Sequence, residues 1–109
     1  MRPIDESSSG RQLDLTLGQT FEISLRENPS TGFRWILEAS GEPICALIGD
    51  SFTPAGGSPG AGGVHRWRFE AVQVGQSRIA LTYQRPWEQS KPSASTFTLR
   101  IDVVQSAAR

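Results

Sequence analysis

Apolar and polar residues alternate along most of this chain with a period of two, whereas an amphipathic helix would show a period of about 3.6 residues. Successive side chains of a β-strand point to opposite faces, so each alternating segment predicts a strand with one apolar face. The regular segments place apolar residues at Leu13, Leu15 and Leu17; Phe21, Ile23 and Leu25; Phe33, Trp35 and Leu37; Trp67, Phe69 and Ala71; Ile79, Leu81 and Tyr83; and Phe97, Leu99, Ile101 and Val103. A less regular apolar segment at residues 44–52 predicts one further strand.

About seven strands of this kind, separated by turn residues, predict an all-β protein built as an antiparallel β-sandwich. The chain has 109 residues, which is short for two domains, so we expect one domain spanning residues 1–109. Residues 1–10 are polar, with three consecutive serines, and we expect them to be disordered, like the tail from Gln105 onward. Cys45 is the only cysteine, so apolar packing rather than an internal disulfide must hold the sheets together.

The connections between the predicted strands differ in length and composition. Those near residues 18–19 and 73–76 are short, whereas the second, fourth and sixth, at residues 28–32, 54–63 and 84–95, are elaborate. If successive strands reverse direction, alternate connections emerge at the same end of the sandwich. Functional residues of a β scaffold are often carried by loops clustered in this way, so we expect the function at that end.

The second connection reads Asn28-Pro29-Ser30-Thr31-Gly32 and is called the NPSTG loop. Proline fixes φ at the turn, asparagine can hydrogen-bond within it, and glycine permits a positive φ before the next strand. Two small hydroxyl side chains therefore stand at the tip. These residues fit an ordinary hairpin turn, and they also fit a narrow, stiff wedge that enters a cleft.

The fourth connection is rich in glycine and ends in Gly60-Ala61-Gly62-Gly63, called the GAGG loop. It leads into a strand and lacks the lysine and helix of a phosphate-binding loop, so it does not predict a nucleotide site. Two interpretations stay open. The segment is either a flexible connector or a place where the backbone approaches a partner so closely that a Cβ atom would clash.

The sixth connection contains Arg85-Pro86-Trp87, called the RPW loop. Trp35 and Trp67 lie on strands and are assigned to the core, whereas Trp87 follows a proline and precedes polar residues. A tryptophan exposed beside an arginine is typical of the most energetic contacts at protein interfaces. The alternative is that the ring of Trp87 folds back and caps the end of the sandwich.

The charges and reactive residues argue against several classes of function. Eleven basic residues balance eleven acidic residues, whereas nucleic acids and anionic membranes attract a basic excess. One histidine and one cysteine cannot supply a usual zinc site, so we expect no metal and no cofactor. Cys45 and His65 could form a nucleophile–base pair, but Cys45 lies in an apolar run typical of a buried thiol. The carboxylates are scattered over outward faces, so the sequence does not predict an enzyme.

No apolar run approaches the ~18 residues of a transmembrane helix. The start, MRPIDESSSG, has no apolar stretch after Arg2, so we expect no signal peptide in this chain. The compartment stays open, since a cytoplasmic protein and an exported protein whose signal has been removed both fit this pattern.

Taken together, the NPSTG, GAGG and RPW loops resemble, in order, the NPTTG-like, GxGG and RPW-like loops of the chagasin family of cysteine-peptidase inhibitors. The flanking residues agree: TGFRW at residues 31–35 is similar to the family's TGYxW, and YQRPWE at residues 83–88 is similar to its YxRPWE. The resemblance covers essentially residues 12–104. Ser30 stands where the family usually has threonine, which keeps the hydroxyl and removes a methyl group, so the difference bears on affinity rather than mechanism.

This resemblance implies an immunoglobulin-like sandwich that reversibly and competitively inhibits papain-like cysteine peptidases, such as papain and cathepsins. By analogy, the NPSTG loop occupies the active-site cleft, with Thr31 closest to the catalytic cysteine of the peptidase. The GAGG loop lies along one side of the cleft through backbone contacts. The RPW loop lies on the other side, with Trp87 against aromatic residues of the peptidase. All twelve residues of the three loops are thus implied to bind the peptidase, and none is catalytic.

A function from another class stays open beside inhibition. An immunoglobulin-like adhesion or ligand-binding module could use the same loops on a different partner without inhibiting any peptidase. We expect a monomer in either case. The sequence does not identify the target peptidase, nor whether that target belongs to the same organism or a foreign one.

Overall fold

Seven β-strands form the regular structure of the computed structural model, which describes residues 4–56, 62–88 and 95–105. The strands are β1 (Arg11–Thr16), β2 (Thr20–Glu27), β3 (Arg34–Ser40), β4 (Cys45–Pro54), β5 (Gly63–Ala71), β6 (Gly75–Gln84) and β7 (Ser95–Val104). Three single-turn 3₁₀ segments accompany them, at Glu6–Ser8, Pro29–Thr31 and Pro86–Glu88. None of the described residues forms a helix that could cross a membrane.

The strands form two sheets, with the orders β1-β7-β6-β3 and β2-β5-β4. The predicted seven-strand sandwich is confirmed, although one neighbouring pair, β1 and β7, runs parallel. The other pairs are antiparallel. These pairings agree with strands that reverse direction one after another along the chain, since β1 and β7 would then be separated by six reversals and point the same way. The second, fourth and sixth connections therefore emerge together at one end.

The core lies between the two sheets and contains the apolar positions of the alternating segments. Phe69 and Leu81 are completely buried, and the rings of Phe21 and Phe69 stack with their centroids 5.2 Å apart. Trp67 is buried as predicted, while Trp35 is half-buried and packs against the edge of the core. These side chains fill the space between the sheets and hold the described strands together. Cys45 is buried among them as a free thiol, so it forms no disulfide.

Strand β4 shows why its sequence is less regular than the others. It forms an edge of the three-stranded sheet, and its register against β5 shifts between Leu47 and Gly49. Cys45 at its start is buried, but Leu47, Ile48 and Phe52 are substantially exposed. An edge strand with a bulge buries only part of its apolar residues, so a strict alternation is not needed there.

The expectation that residues 1–10 are disordered is wrong for residues 4–10. Ile4 is buried in the core, and its carbonyl accepts a hydrogen bond from the Ser24 N–H at 2.9 Å. Further along, the Gly10 N–H donates to the Thr98 carbonyl at 2.8 Å. A single apolar side chain thus anchors this polar segment along the edge of β2. Residues 1–3 and the predicted tail at residues 106–109 lie outside the described residues.

Candidate functional site

The described residues of the three elaborate connections meet at one end of the sandwich, as the alternation of strand direction predicts. The Arg85 Nε donates a hydrogen bond of 3.1 Å to the Thr31 carbonyl, which joins the RPW loop to the NPSTG loop. On the other side, Gly62 lies against Asn28, so that a Cβ atom placed on Gly62 would stand 3.4 Å from the Asn28 Cβ. The NPSTG loop is therefore the central one of the three.

The NPSTG loop is closed by its own hydrogen bonds. The Asn28 Oδ1 accepts from the Ser30 hydroxyl at 2.6 Å and from the Ser30 N–H at 3.2 Å. The Thr31 hydroxyl donates to the Asn28 carbonyl at 2.8 Å, and the Thr31 N–H donates to the same carbonyl at 3.2 Å. Gly32 then has a φ of 84°, as the sequence predicted. The result is a compact 3₁₀ turn with Ser30 and Thr31 exposed at its tip.

The strands below the loop contribute a second set of contacts. The Asn28 N–H donates to the Tyr83 hydroxyl at 3.0 Å, and the Trp35 Nε1–H donates to the Arg26 carbonyl at 2.7 Å. The Tyr83 ring packs against Trp35 and Phe33, with centroid distances of 4.9 Å and 5.4 Å. The alternating pattern predicts Tyr83 on the apolar face of its strand but does not indicate the hydrogen bond that its hydroxyl accepts. A tyrosine as the last inward-facing residue before a loop is the signal that could have indicated it.

The GAGG loop is only partly described, because Gly60 and Ala61 lie outside the described residues. Gly62 has a φ of 79°. Gly63 begins β5 and leaves no room for a Cβ atom against the Thr53 carbonyl of the neighbouring strand. The pairing of β4 with β5 therefore explains the glycine at this last position without any partner. A groove of about 450 Å³ lies between this loop and the NPSTG loop, and Tyr83 is one of the residues that line it.

Trp87 stands on the short 3₁₀ segment Pro86–Glu88 and is 70% exposed, as the interface interpretation predicted. The alternative, in which its ring caps the core, does not hold. The ring rests instead on the neighbouring loop: a Cβ atom on Gly32 would lie 2.5 Å from the Trp87 Cη2. Because Gly32 has no side chain, the indole of Trp87 can pack directly against its backbone.

Cys45 and His65 do not form a nucleophile–base pair. Cys45 pairs with Ala71 on β5, whereas His65 lies six residues earlier on that strand, opposite Phe52. At ~3.3 Å per residue, the two side chains are roughly 20 Å apart. Burial raises the pKa of the Cys45 thiol above its ordinary value, which further disfavours the thiolate.

His65 instead links two carboxylates below the GAGG loop. Its Nδ1 lies 2.8 Å from the Glu27 Oε1, and its Nε2 lies 2.9 Å from the Asp50 Oδ2. The imidazole also stacks on Trp67, with a centroid distance of 4.0 Å. The expectation that the carboxylates lie on outward faces is therefore wrong for Glu27, which is buried. Glu27 has the same strand parity as the inward-facing Leu25, and that parity was the available signal.

We predict that Cys45 is unreactive in the folded protein. Because the raised pKa keeps the buried thiol protonated, Ellman's reagent at about pH 8 should modify Cys45 far more slowly than an unfolded cysteine, whose pKa is ~8.5. Adding a denaturant should release one rapidly reacting thiol per chain. Fast modification without denaturant would contradict the buried placement.

Replacing Gly32 should disturb Trp87. Gly32→Ala places a Cβ atom where the Trp87 indole packs. Gly18→Ala is the control: Gly18 also has a positive φ, of 93°, but open space surrounds it, so this substitution introduces backbone strain alone. Both variants should lose ~1–2 kcal/mol of unfolding free energy from the left-handed backbone, measured in urea. Only Gly32→Ala should shift the indole N–H signal of Trp87 in NMR spectra. An unchanged indole N–H signal of Trp87 in Gly32→Ala would contradict the contact between Gly32 and Trp87.

Comparison with known proteins gives related sequences over nearly the whole chain. A family model described as the Chagasin family peptidase inhibitor I42 matches residues 14–101. Amoebiasin-1 from Entamoeba histolytica is 30% identical over 104 residues, which cover 92% of this chain and 97% of that protein. Chagasin from Trypanosoma cruzi is 29% identical over 101 residues, which cover 88% and 92%.

The fold is also similar to that of a known inhibitor. The crystal structure of EhICP2, a cysteine protease inhibitor from Entamoeba histolytica, superposes with a TM-score of 0.82 and 25% identity, covering 93% of this chain and 92% of that chain. The immunoglobulin-like sandwich and the family resemblance predicted from the sequence are both confirmed. The chain belongs to the chagasin family of peptidase inhibitors, proteins that inhibit cysteine peptidases and are not themselves enzymes.

Proposed function

We propose that the protein blocks the active-site cleft of a papain-like cysteine peptidase, reversibly and competitively, with the NPSTG, GAGG and RPW loops acting as one surface. The observation that carries this proposal is the closed NPSTG loop, which stands between the other two loops. A compact loop that needs no ordering on binding loses little conformational entropy, which favours a stable complex.

The shape of the NPSTG loop supports inhibition rather than cleavage. Its backbone turns within Pro29–Thr31 and is held by hydrogen bonds that Ser30 and Thr31 donate to Asn28, so it does not offer the extended backbone of a substrate. Thr31, exposed at the tip, is the residue we place nearest the catalytic cysteine of the peptidase. The loop therefore fills the cleft without presenting a bond in a geometry suited to attack.

The flanking loops supply contacts on either side of the cleft. The GAGG loop, residues 60–63, approaches the peptidase through its backbone, with Gly62 beside the groove next to the NPSTG loop. The RPW loop contributes Trp87, whose large apolar surface is available and whose ring already rests on Gly32. An immunoglobulin-like adhesion module could use the same surface, but membership of an inhibitor family favours inhibition.

Trp87→Ala should weaken inhibition strongly and leave stability nearly unchanged. Truncating an exposed aromatic anchor at an interface typically costs ~2 kcal/mol or more, which raises the inhibition constant roughly 30-fold. Titration of papain or a cathepsin L-like peptidase gives the inhibition constant, and thermal unfolding gives Tm. Val72→Ala, an exposed apolar change on the turn at the opposite end, serves as the control and should alter neither value. A lowered Tm with full inhibition would show that the binding surface lies elsewhere.

The protein should survive prolonged contact with active papain intact. A peptidase that binds a turned, self-hydrogen-bonded loop has no extended bond to cut, so intact-mass measurement after long incubation should find the full chain. Rapid stoichiometric cleavage between Asn28 and Gly32 would mean substrate-like binding and would overturn the proposed mode.

A further inference from the structure

Two side chains from one short segment bind the two ends of the NPSTG loop. The Tyr83 hydroxyl accepts the hydrogen bond from the Asn28 N–H at 3.0 Å. Two residues later, the Arg85 Nε donates to the Thr31 carbonyl at 3.1 Å. In an extended chain, residues two apart point to the same side, so β6 and its continuation present both groups to the loop together.

Flat side chains packed on one another hold these two groups in place. The rings of Trp35, Tyr83 and Phe33 pack in succession, with centroids 4.9 Å and 5.4 Å apart. The guanidinium carbon of Arg85 lies 4.6 Å from the centroid of the Phe33 ring, within the range of a cation–π contact. Because Trp35 also donates to the Arg26 carbonyl, this row of side chains connects β2, β3 and β6 directly below the loop.

The guanidinium of Arg85 is largely engaged inside the chain. One nitrogen donates to Thr31, the plane covers Phe33, and Nη1 lies 3.7 Å from the Glu88 Oε1. Its side chain is 37% exposed, whereas Trp87, two residues further on, is 70% exposed. Within the RPW loop, Arg85 therefore contacts the protein itself, whereas Trp87 faces solvent.

We propose that Tyr83 and Arg85 are positioning residues that fix the shape of the NPSTG loop, and that Arg85 acts on the peptidase through this loop rather than by direct contact. This inference rests on the proposed function, because it explains how the blocking loop keeps its shape. A loop released from these anchors must be reordered on binding, which lowers affinity. It can also adopt an extended form that a peptidase cuts.

The test compares two conservative variants with two controls. Tyr83→Phe keeps the ring and removes only the hydroxyl that accepts from Asn28. Arg85→Lys keeps the charge but removes the Nε donor and the planar group over Phe33. Arg78→Lys is the matched control, because Arg78 is exposed on the same strand. Trp87→Ala is the second control, for a residue whose effect should come from direct contact.

Three measurements are made on each protein: residue-resolved amide hydrogen exchange without peptidase, the inhibition constant for papain, and intact mass after incubation. Losing a hydrogen bond of this kind should speed exchange at Asn28 and Thr31 and raise the inhibition constant, each by ~10-fold or more, for both Tyr83→Phe and Arg85→Lys. The same variants should begin to be cut between residues 28 and 32. Arg78→Lys should behave as the parent protein. Trp87→Ala should weaken inhibition while exchange at Asn28 and Thr31 stays as slow as in the parent protein, because Trp87 holds neither of these two residues.

The outcomes separate this inference from the proposed function. If Arg85→Lys weakens inhibition while exchange in the NPSTG loop stays slow, Arg85 contacts the peptidase directly and the inference is overturned. It is also overturned if exchange accelerates with no loss of inhibition. If the parent protein does not inhibit papain, the proposed mode fails, whereas the exchange rates still show whether Tyr83 and Arg85 hold the loop. Should Arg85→Lys fold poorly, Arg85→Gln, which also lacks the Nε donor, takes its place in the same three measurements.

Discussion

The apolar packing between the two sheets is the interaction on which everything else in this protein depends. Among the described residues no disulfide joins the layers, and the only cysteine, Cys45, is a buried free thiol. Completely buried side chains such as Phe69 and Leu81 hold the two sheets at a fixed distance and so fix the strand ends of one sheet relative to those of the other. The three loops take their relative positions from those ends, so the geometry of the site is a property of the core.

The loop end of the sandwich is stabilised by polar groups, in contrast to the apolar centre. Below the GAGG loop, His65 lies between the carboxylates of Glu27 and Asp50 and so connects the three strands of one sheet. Below the NPSTG loop, Tyr83 and Arg85 reach from the other sheet. Each sheet therefore supports the site with its own hydrogen-bonding side chains. Such contacts are directional, which suits a surface that must keep one shape.

Much of this arrangement could be predicted from the sequence, because it follows from local regularities. The period of two identified the strands, and the alternating strand direction placed the three loops at one end. The anchoring of Ile4 was missed, because one apolar residue in a polar segment carries no periodic signal. The contacts of His65 with Glu27 and Asp50, and of Tyr83 with Asn28, depend on the register between distant strands, which residue patterns do not specify. For the same reason the sequence left two alternatives for Trp87, an exposed ring and a ring that caps the end of the sandwich.

The contact between Gly32 and Trp87 has a consequence for how this surface can be engineered. Since the indole rests on the backbone of another loop, the free-energy contributions of the two loops to binding are coupled and will not add. If one loop were transplanted alone onto another β-sandwich, it would lose its contacts with the neighbouring loop, and these contacts help to fix its shape. The transferable unit is the pair of loops together with the strand ends that carry them.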